Sequence, residues 1–263
     1  MIPLQFLGGG RMAEALLTGL LEHGISSPGD VFVVEVSTER RGQLEELFPG
    51  VTITGEPVPC EGLVLATKPN DALHALGQAS AVGVKRVLSI AAGVSLGRLE
   101  GAAGADVAVV RAMPNTPSLV AAGASALCGG SAATDDDLQW AETLLGSVGI
   151  VERVPESQMD AVTGLSGSGP AYVFLLAEAM VEGGVSAGLP RDVATRLTEQ
   201  TLLGSARLLS EGDSGPEELR AAVTSPGGTT AAGLRVLEQR AAGAAFMEAI
   251  GEAARRSAEL DTP

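Results

Sequence analysis

A glycine-rich turn near the start of the chain is the strongest chemical signal in the sequence. Gly8, Gly9 and Gly10 follow the apolar run Ile2 to Leu7, and together with Ala13 they fit the pattern G-x-G-x-x-A. In this pattern the first glycine permits a tight turn, the second lets a pyrophosphate approach the backbone, and the small residue lets helix and strand pack. The N-terminus of the following helix then faces the phosphates. The sequence predicts a dinucleotide site here, with a purely structural turn as the alternative.

The segment after the second predicted strand should meet the adenosine ribose of such a cofactor. Glu35 could accept hydrogen bonds from a free ribose 2′-hydroxyl, whereas Ser37, Arg40 and Arg41 could hold a 2′-phosphate. The arginines are equally well explained as a solvated start to the next helix. Because the Glu35 carboxylate repels a phosphate and the whole chain is acidic, we predict that NADH is used at least as well as NADPH.

Three further loops lie where parallel strands are predicted to end. Lys68-Pro69 follows the fourth strand, Ala91-Ala92-Gly93 follows the fifth, and Met113-Pro114-Asn115-Thr116-Pro117 follows the sixth. Ligands of open α/β sheets bind at the carboxyl ends of the strands, so these loops are candidate borders of the site. The prolines stiffen the last loop, and a rigid connector without a ligand is its alternative interpretation.

Two glycine-containing segments mark helix starts in the second half of the chain. Ser166 to Pro170 is a helix entry, and an N-cap role for Ser168 explains much of it. Thr224 to Thr230 reads TSPGGTT and offers backbone N–H groups and hydroxyls at the start of the next helix. Such a nest could bind a small carboxylate without a cationic side chain. A plain capping turn explains the spacing equally well.

The residue types that are missing narrow the chemistry. Lys68 and Lys85 are the only lysines, and the only histidines, His23 and His74, fall on predicted helices and are interpreted as surface residues. After residue 155, substrate groups must therefore come from hydroxyls, backbone amides, carboxylates or arginines. This disfavours a hydroxyacid dehydrogenase that needs a lysine as proton acceptor. It favours hydride addition to an already electrophilic C=N bond.

An alternation of strands and helices in the first half must position these motifs. Short apolar runs bounded by Gly, Pro or charge indicate strands buried on both faces, at Ile2 to Leu7, Val31 to Val34, Val51 to Thr54, Leu63 to Ala66, Val87 to Ile90 and Val107 to Val110. Helical patterns lie between several of them, as in Ala13 to Glu22 and Glu39 to Phe48. Two more runs, Ser125 to Cys128 and Ile150 to Val154, bracket a helix from about Asp135 and could extend the sheet at its edge. The pattern predicts a doubly wound Rossmann domain over residues 1–155.

Beyond Pro155 only helical patterns remain. We predict helices at Pro170 to Ala187, Pro190 to Ser210, Pro216 to Val223 and Thr230 to Leu260. The predicted fold class is therefore α/β, with an N-terminal Rossmann sheet followed by an all-α domain over residues 156–263. The apolar helix faces exceed what so small a domain needs for itself, so we expect dimerisation through the helices.

Composition excludes several classes of function. The 17 Lys and Arg against 32 Asp and Glu give a net charge of −15, which would repel a nucleic-acid backbone. The two cysteines, Cys60 and Cys128, are far apart and suggest neither a disulfide framework nor a zinc site. No basic leader precedes the first apolar run, and no apolar stretch is long enough for a bilayer. We expect a cytoplasmic enzyme without metal, nucleic-acid or membrane partners.

Five segments together resemble the pyrroline-5-carboxylate reductase family. They are FLGGGRMAEA from Phe6, ATKP from Ala66, RAMPNTP from Arg111, DAVTGLSGSGPAY from Asp160 and LRAAVTSPGGTTAAGL from Leu219. The resemblance covers nearly the whole chain, and the last two segments are similar to the family's signature region. It implies reduction of L-1-pyrroline-5-carboxylate to L-proline with NADPH or NADH, in a homodimer joined by the helical domain and commonly in a ring of such dimers, a decamer.

The resemblance also implies roles for individual residues. The cofactor-binding positions are Leu7, Gly8, Gly9, Gly10, Arg11, Met12, Ala13, Ser37, Thr67, Lys68, Pro69, Ala91, Ala92 and Asn115. The substrate-binding positions are Ser225, Gly228, Thr229, Thr230 and Asp213. Because the helical domain has no Lys or His to donate to the substrate nitrogen, we expect the Thr230 hydroxyl to be the catalytic donor.

The chain departs from the family's pattern in the cofactor half. Glu35 and Val36 stand where many relatives have Asn or Arg, Glu56 stands where many have Asn, and Thr67 replaces a frequent Val. The alternatives are another imine or ketone reductase on the same two-domain plan, such as one using a deazaflavin or a larger imino acid, and a non-catalytic dinucleotide-binding regulator.

Overall fold

The computed structural model describes residues 2–260 and is built around one eight-stranded sheet. Its strands run in the order β3-β2-β1-β4-β5-β6-β7-β8. Their bounds are β1 Ile2–Leu7, β2 Val31–Val34, β3 Thr52–Thr54, β4 Cys60–Leu65, β5 Val84–Ser89, β6 Ala108–Met113, β7 Gly123–Gly129 and β8 Gly149–Arg153. The first six strands are parallel in the order 3-2-1-4-5-6, which is the dinucleotide-binding arrangement. The predicted Rossmann fold class is confirmed.

The central strands are buried on both faces, as their unbroken apolar runs predict. Successive side chains point to opposite faces, so Phe6 packs into one core layer and Leu7 into the other. Phe6 and its parallel neighbour Val64 are fully buried. Each such side chain contributes roughly 1.5–3 kcal/mol on burial, so the carboxyl ends of β1 and β4 are held rigidly beneath the loops that follow them.

The last two strands extend the sheet at its edge, as predicted, but run in the opposite direction. β7 pairs antiparallel with β6, and β8 then pairs parallel with β7. A short connection that contains the 3-10 helix Thr116–Val120 joins β6 to β7. A parallel pairing would have required a longer crossover, so this short loop dictates the reversal.

Five helices flank the sheet in the first part of the chain. They are α1 Arg11–Glu22, α2 Thr38–Leu47, α3 Pro69–Val82, α4 Leu96–Ala103 and α5 Asp135–Gly146. Leu16, Leu17 and Leu20 of α1 bury one stripe against the sheet. This stripe fixes the N-terminus of α1 directly behind the glycine turn.

The second half is helical, as predicted, with one break that the sequence does not announce. After the short helix α6 Met159–Val162 come α7 Gly169–Ser186, α8 Arg191–Glu211, α9 Pro216–Ala222, α10 Thr229–Gln239 and α11 Ala242–Leu260. The prediction of one continuous helix from Thr230 to Leu260 is wrong. Ala241 has a φ of 54°, in the left-handed region, and this residue ends α10 and reorients the chain into α11.

The entry to α7 is helical from the preceding turn onward. Residues Thr163–Gly167 form a π-helical turn, and the N–H of Ser168 donates to the carbonyl of Thr163 at 2.8 Å. Ser168 has φ −86° and ψ −20°, whereas an N-cap has extended backbone. The predicted capping role of Ser168 is therefore wrong, although a helix does begin at this segment.

The chain divides into two compact units. One contains the residues up to 168 together with those from 251 onward, and the other contains residues 169–250. The predicted domain boundary between residues 155 and 156 stays a prediction.

The unit of residues 169–250 has little core of its own. Ala194 and Thr198 are its only buried residues, whereas Val173, Phe174 and Leu175 on α7 are between 48% and 66% exposed. Among residues 2–260, no helix combines the length and the apolarity that a membrane crossing requires. The exposed side chains of α7 form an apolar patch on this unit.

Candidate functional site

A cavity of about 550 Å³ opens at the carboxyl ends of β1, β2 and β4. Open α/β sheets bind their ligands in this position, where the strand order reverses between β1 and β4. Its lining contains six of the predicted cofactor residues, Leu7, Gly8, Gly9, Gly10, Thr67 and Lys68. It also contains Val34, Glu35, Val36, Gly55, Pro57, Ala66, Asp71, His74, Ala75 and Gln78.

The glycine turn has the geometry that a phosphate requires. Gly8 has φ +101°, and a Cβ on it would lie 2.8 Å from the carbonyl oxygen of Ala66, so no side chain fits. At Gly10 a Cβ would meet no heavy atom within 4 Å, which leaves open space over the backbone. Gly10 is the N-cap of α1 and offers no side chain to the first helical N–H groups. Those donors and the helix dipole remain available to an anion.

One residue of the cavity lining carries a buried hydroxyl without a hydrogen-bond partner within residues 2–260. The Oγ1 atom of Thr67 is buried and has no hydrogen-bond partner among the described residues. A buried donor without a partner is destabilising, so a ligand that accepts its hydrogen bond would relieve the penalty. Together with the open glycine turn, Thr67 makes the cavity fit a dinucleotide.

The carboxylate at the end of β2 is bonded to the glycine turn. Glu35 accepts from the N–H of Gly9 at 3.0 Å and from the N–H of Ser37 at 2.8 Å. Arg40 donates to the carbonyl of Gly9 at 2.8 Å. Arg41 donates to the carbonyl of Glu35 at 2.9 Å. The acidic and the basic candidates are thus adjacent, but only Glu35 lines the cavity.

One face of α3 forms a wall of the cavity that the sequence analysis missed. Asp71, His74, Ala75 and Gln78 line it at the spacing i, i+3, i+4 and i+7, which places them along one side of the helix. His74 is exposed, as predicted, yet it also lines this cavity. The start of this helix at Lys68-Pro69 is visible in the sequence. The helical periodicity of its residues, however, does not indicate which face of the helix lines a cavity.

The loops after β5 and β6 do not line this cavity. Ala91 is buried in the core. The amide of Asn115 donates to the carbonyl of Ser166 at 3.1 Å, and its oxygen accepts from the N–H of Ala124 at 2.9 Å. The Asn115 side chain is therefore committed to backbone partners that hold its own loop in place.

A charged pair braces the loop after β5. Glu156 accepts from the N–H of Leu96, at the start of α4, at 2.6 Å and from the guanidinium of Arg111 at 3.0 Å. The Arg111 side chain is only 9% exposed. The brace ties β6 and α4 to the segment that begins at residue 156.

The other predicted cofactor residues lie around the cavity without lining it. Arg11 is exposed at the first position of α1, and Ala13 is buried between α1 and the sheet. Ser37 is the N-cap of α2, and its hydroxyl accepts from the N–H of Arg40 at 3.3 Å. The rest of this group are Met12, Pro69 and Ala92.

The TSPGGTT segment forms a turn that leads into α10. Gly227 has φ +71°, and the N–H of Gly228 donates to the carbonyl of Ser225 at 3.0 Å. Gly228 is the N-cap of α10 and has no side-chain cap, so Thr230 is the second residue of the helix rather than its cap. The N–H groups of Thr229, Thr230 and Ala231 start the helix and have no acceptor within it. These free N–H groups are the candidate anion nest that the sequence suggests.

The surroundings of this turn are open. Ser225, Thr229 and Thr230 are exposed, and no hydrogen bond is formed by their hydroxyls among the described residues. Asp213 is also exposed, in the connection between α8 and α9. Three hydroxyls and a helix N-terminus are therefore available at one end of α10 for a small carboxylate.

Two family models match the chain. The model for pyrroline-5-carboxylate reductase dimerisation matches residues 156–260. The model for NADP oxidoreductase, coenzyme F420-dependent, matches residues 3–93. The first match lies in the helical half, and the second covers the strands and helices around the glycine turn.

Full-length relatives and solved structures are similar as well. The pyrroline-5-carboxylate reductase of Synechocystis sp. is 44% identical, over 98% of both chains. A pyrroline-5-carboxylate reductase from Coxiella burnetii superposes with a TM-score of 0.92 at 35% identity, covering 100% of this chain and 99% of the other. The Plasmodium falciparum pyrroline carboxylate reductase with NADP bound gives a TM-score of 0.86 at 29% identity, covering 99% and 98%.

Proposed function

Because the chain belongs to the pyrroline-5-carboxylate reductase family, we propose that it reduces L-1-pyrroline-5-carboxylate to L-proline with NADPH or NADH, the last step of proline biosynthesis. The resemblance drawn from the sequence motifs is confirmed. The observation that carries the proposal is the 44% identity along 98% of the chain. The reaction needs a site for a dinucleotide and a site for a carboxylate. The cavity at the glycine turn and the start of α10 are the candidates for these two sites.

The nucleotide-binding unit holds the cofactor. The glycine turn and the N-terminus of α1 bind the pyrophosphate, since they offer N–H groups and open space over Gly10. Thr67 donates its free hydroxyl to the cofactor, and Lys68 is the cation of the lining. When bound, the reduced nicotinamide supplies the hydride that the C=N carbon accepts.

The start of α10 holds the substrate. Its free N–H groups, with the Ser225 hydroxyl, bind the carboxylate through hydrogen bonds and the helix dipole. The Thr230 hydroxyl donates to the ring nitrogen, on which electron density accumulates as the double bond is reduced. Holding the substrate at both ends orients one face of the ring for the reaction.

Little acid–base catalysis is required of this site. The imine is partly protonated near neutral pH, so the hydroxyl orients and stabilises the nitrogen more than it transfers a proton. Residues 155–263 contain no Lys and no His. The inventory of side chains thus matches a reaction whose electrophile is already activated.

Dimerisation through the helical half is part of the proposal, and a ring of dimers, a decamer, is its extension. The exposed apolar residues of α7 and the small core of residues 169–250 support an obligate partner. The family match over residues 156–260, which is described by dimerisation, supports the functional boundary at residue 155/156. Multi-angle light scattering tests the assembly, and a fully active monomer at working concentration would contradict it.

We place the enzyme in the cytoplasm. Cys60 and Cys128 are free and buried, which suits a reducing compartment. Localisation of a tagged chain by fractionation tests this assignment.

A deazaflavin-dependent reductase is the competing candidate. The match that favours it is confined to residues 3–93, whereas the pyrroline-5-carboxylate reductases match from end to end. Purified protein should therefore oxidise NADH or NADPH only when L-1-pyrroline-5-carboxylate is added. Reaction with reduced coenzyme F420 alone, or with a six-membered cyclic imino acid alone, would refute the proposal, and inactivity with every acceptor would favour a regulatory role.

A further inference from the structure

The peptide unit of Gly9 is held on both sides by the second strand–helix unit. Its N–H donates to Oε2 of Glu35 at 3.0 Å, and its carbonyl accepts from Nε of Arg40 at 2.8 Å. A Cβ on Gly9 would lie 2.4 Å from Cδ1 of Leu44 on α2, so the glycine turn packs directly against this unit. The turn that receives the pyrophosphate therefore takes its shape from residues at the ribose end of the cavity.

The same contacts decide which charged side chains line the cavity at the end of β2. Glu35 lines the cavity, and Lys68 is the only Lys or Arg among the lining residues that the structure describes. Arg40 is paired with Glu14 and also donates to Gln43 at 3.1 Å. Both arginines are thus occupied, because Arg41 donates to the carbonyls of Glu35 and Val36 and to the Thr38 hydroxyl.

From this geometry we propose that Glu35 selects NADH over NADPH and at the same time braces the glycine turn. The inference rests on the proposed use of a nicotinamide dinucleotide. A carboxylate that already accepts two N–H bonds has lone pairs left for ribose hydroxyls. A 2′-phosphate carries about −1.5 to −2 charges and would be repelled. Turning Glu35 away would release Gly9 and Ser37, so admitting the phosphate also loosens the turn.

Arg40 is a positioning residue in this arrangement. It bridges the Gly9 carbonyl to the Glu14 carboxylate on α1, and so connects the turn, α1 and α2. Its side chain is 24% exposed. Its charge is directed toward Glu14, and Arg40 is not among the residues that line the cavity.

Two substitutions at one position separate the two roles of Glu35. Glu35→Gln removes the charge but keeps an oxygen that can accept from Gly9. Glu35→Asp keeps the charge but is one methylene too short to maintain the bond to Gly9. Glu39→Gln is the matched control, since Glu39 lies in the first turn of α2 and makes the same change in net charge.

Isothermal titration calorimetry of the full-length protein measures the dissociation constants of ADP-ribose and of 2′-phospho-ADP-ribose, which report on the ribose end without catalysis. The wild type should bind ADP-ribose more tightly. Glu35→Gln should shift the ratio of the two constants toward the phosphorylated ligand by roughly ten- to a hundredfold, as expected for removing a like charge. Glu35→Asp should weaken both ligands by roughly two- to tenfold, with the ratio unchanged, as expected for losing one hydrogen bond.

The outcomes distinguish the inference from the function on which it rests. A ratio that stays within about twofold of the wild type in Glu35→Gln, or that moves equally in Glu39→Gln, overturns the role of Glu35 in selectivity. Unchanged affinities in Glu35→Asp overturn its role as a brace. A wild type that binds neither ligand contradicts the proposed function itself.

Discussion

The unpaired hydroxyl of Thr67 leads to a prediction in which stability and affinity change in opposite directions. Thr67→Val removes the hydroxyl at nearly constant volume. A buried donor without a partner is destabilising by about 1–3 kcal/mol, so the unliganded variant should be more stable than the wild type by an amount of this order. The hydrogen bond to the bound cofactor is lost, which should weaken NADH binding by about two- to twelvefold, the equivalent of 0.5–1.5 kcal/mol.

Thermal unfolding without ligand and calorimetric titration with NADH measure the two effects. The melting temperature should rise by about 2–4 °C for each kcal/mol gained. Ser80→Ala is the matched control, because the Ser80 hydroxyl on α3 is also buried without a partner but does not line the cavity. It should raise the melting temperature and leave the affinity unchanged. A Thr67→Val variant with a lower melting temperature and wild-type affinity would show that the hydroxyl neither destabilises the protein without ligand nor bonds the cofactor.

Three further predictions concern the substrate site, the loop brace and the cysteines. Thr230→Ala should lower kcat by about ten- to a thousandfold with an unchanged melting temperature, and Thr230→Ser should restore most of the rate; a loss of stability with normal turnover would contradict a catalytic hydroxyl. Glu156→Ala leaves Arg111 without its carboxylate and should lower stability in thermal unfolding by about 1–3 kcal/mol; an unchanged melting temperature would show that the pair contributes nothing. Burial raises the pKa of Cys60 to about 12 and of Cys128 to about 11, so neither thiol should react with a disulfide reagent near pH 8 until the protein unfolds. The folded state favours the neutral thiols, and this contribution to stability is complete below the ordinary pKa of 9.0 and is lost as the pH rises toward 11–12.

Most of the sheet could be predicted because apolar β-branched runs leave few alternatives in a parallel core. The predicted bounds of a strand are wrong where the strand contains polar residues. β5 begins at Val84 rather than at Val87, although Lys85 and Arg86 interrupt the apolar pattern. Arg86 lies 4.5 Å over the ring of Trp140 and 4.0 Å from the Asp137 carboxylate, and these contacts accommodate its charge. Such a compensation is supplied by residues about 50 positions away and leaves no local signal.

The break between α10 and α11 could not be predicted from the residues that form it. Arg240, Ala241 and Ala242 include no Gly, Pro or Asn, and alanine strongly favours a continuous helix. The left-handed conformation of Ala241 therefore does not follow from the local preference of these residues.

The parts of the candidate site that use backbone groups could be predicted from the sequence. The parts that depend on packing between distant residues could not. The glycine turn and the TSPGGTT turn require glycine for reasons that are visible in the sequence. The hydrogen bond between Gly9 and Glu35 joins residues 26 positions apart. The role of Glu35 in holding the glycine turn is therefore visible only in the structure. The α3 wall of the cavity was likewise missed, since a helical period identifies a face but not its ligand.

The fate of the hydride tests the proposed reaction directly. Purified protein is incubated with L-1-pyrroline-5-carboxylate and NADH in which both C4 hydrogens of the nicotinamide are deuterium, and the product is analysed by mass spectrometry and NMR. Reduction of the C=N bond should give L-proline with a single deuterium on the ring carbon that formed that bond. Oxidation of the cofactor without deuterium at that carbon, or no proline at all, would contradict the proposed reaction.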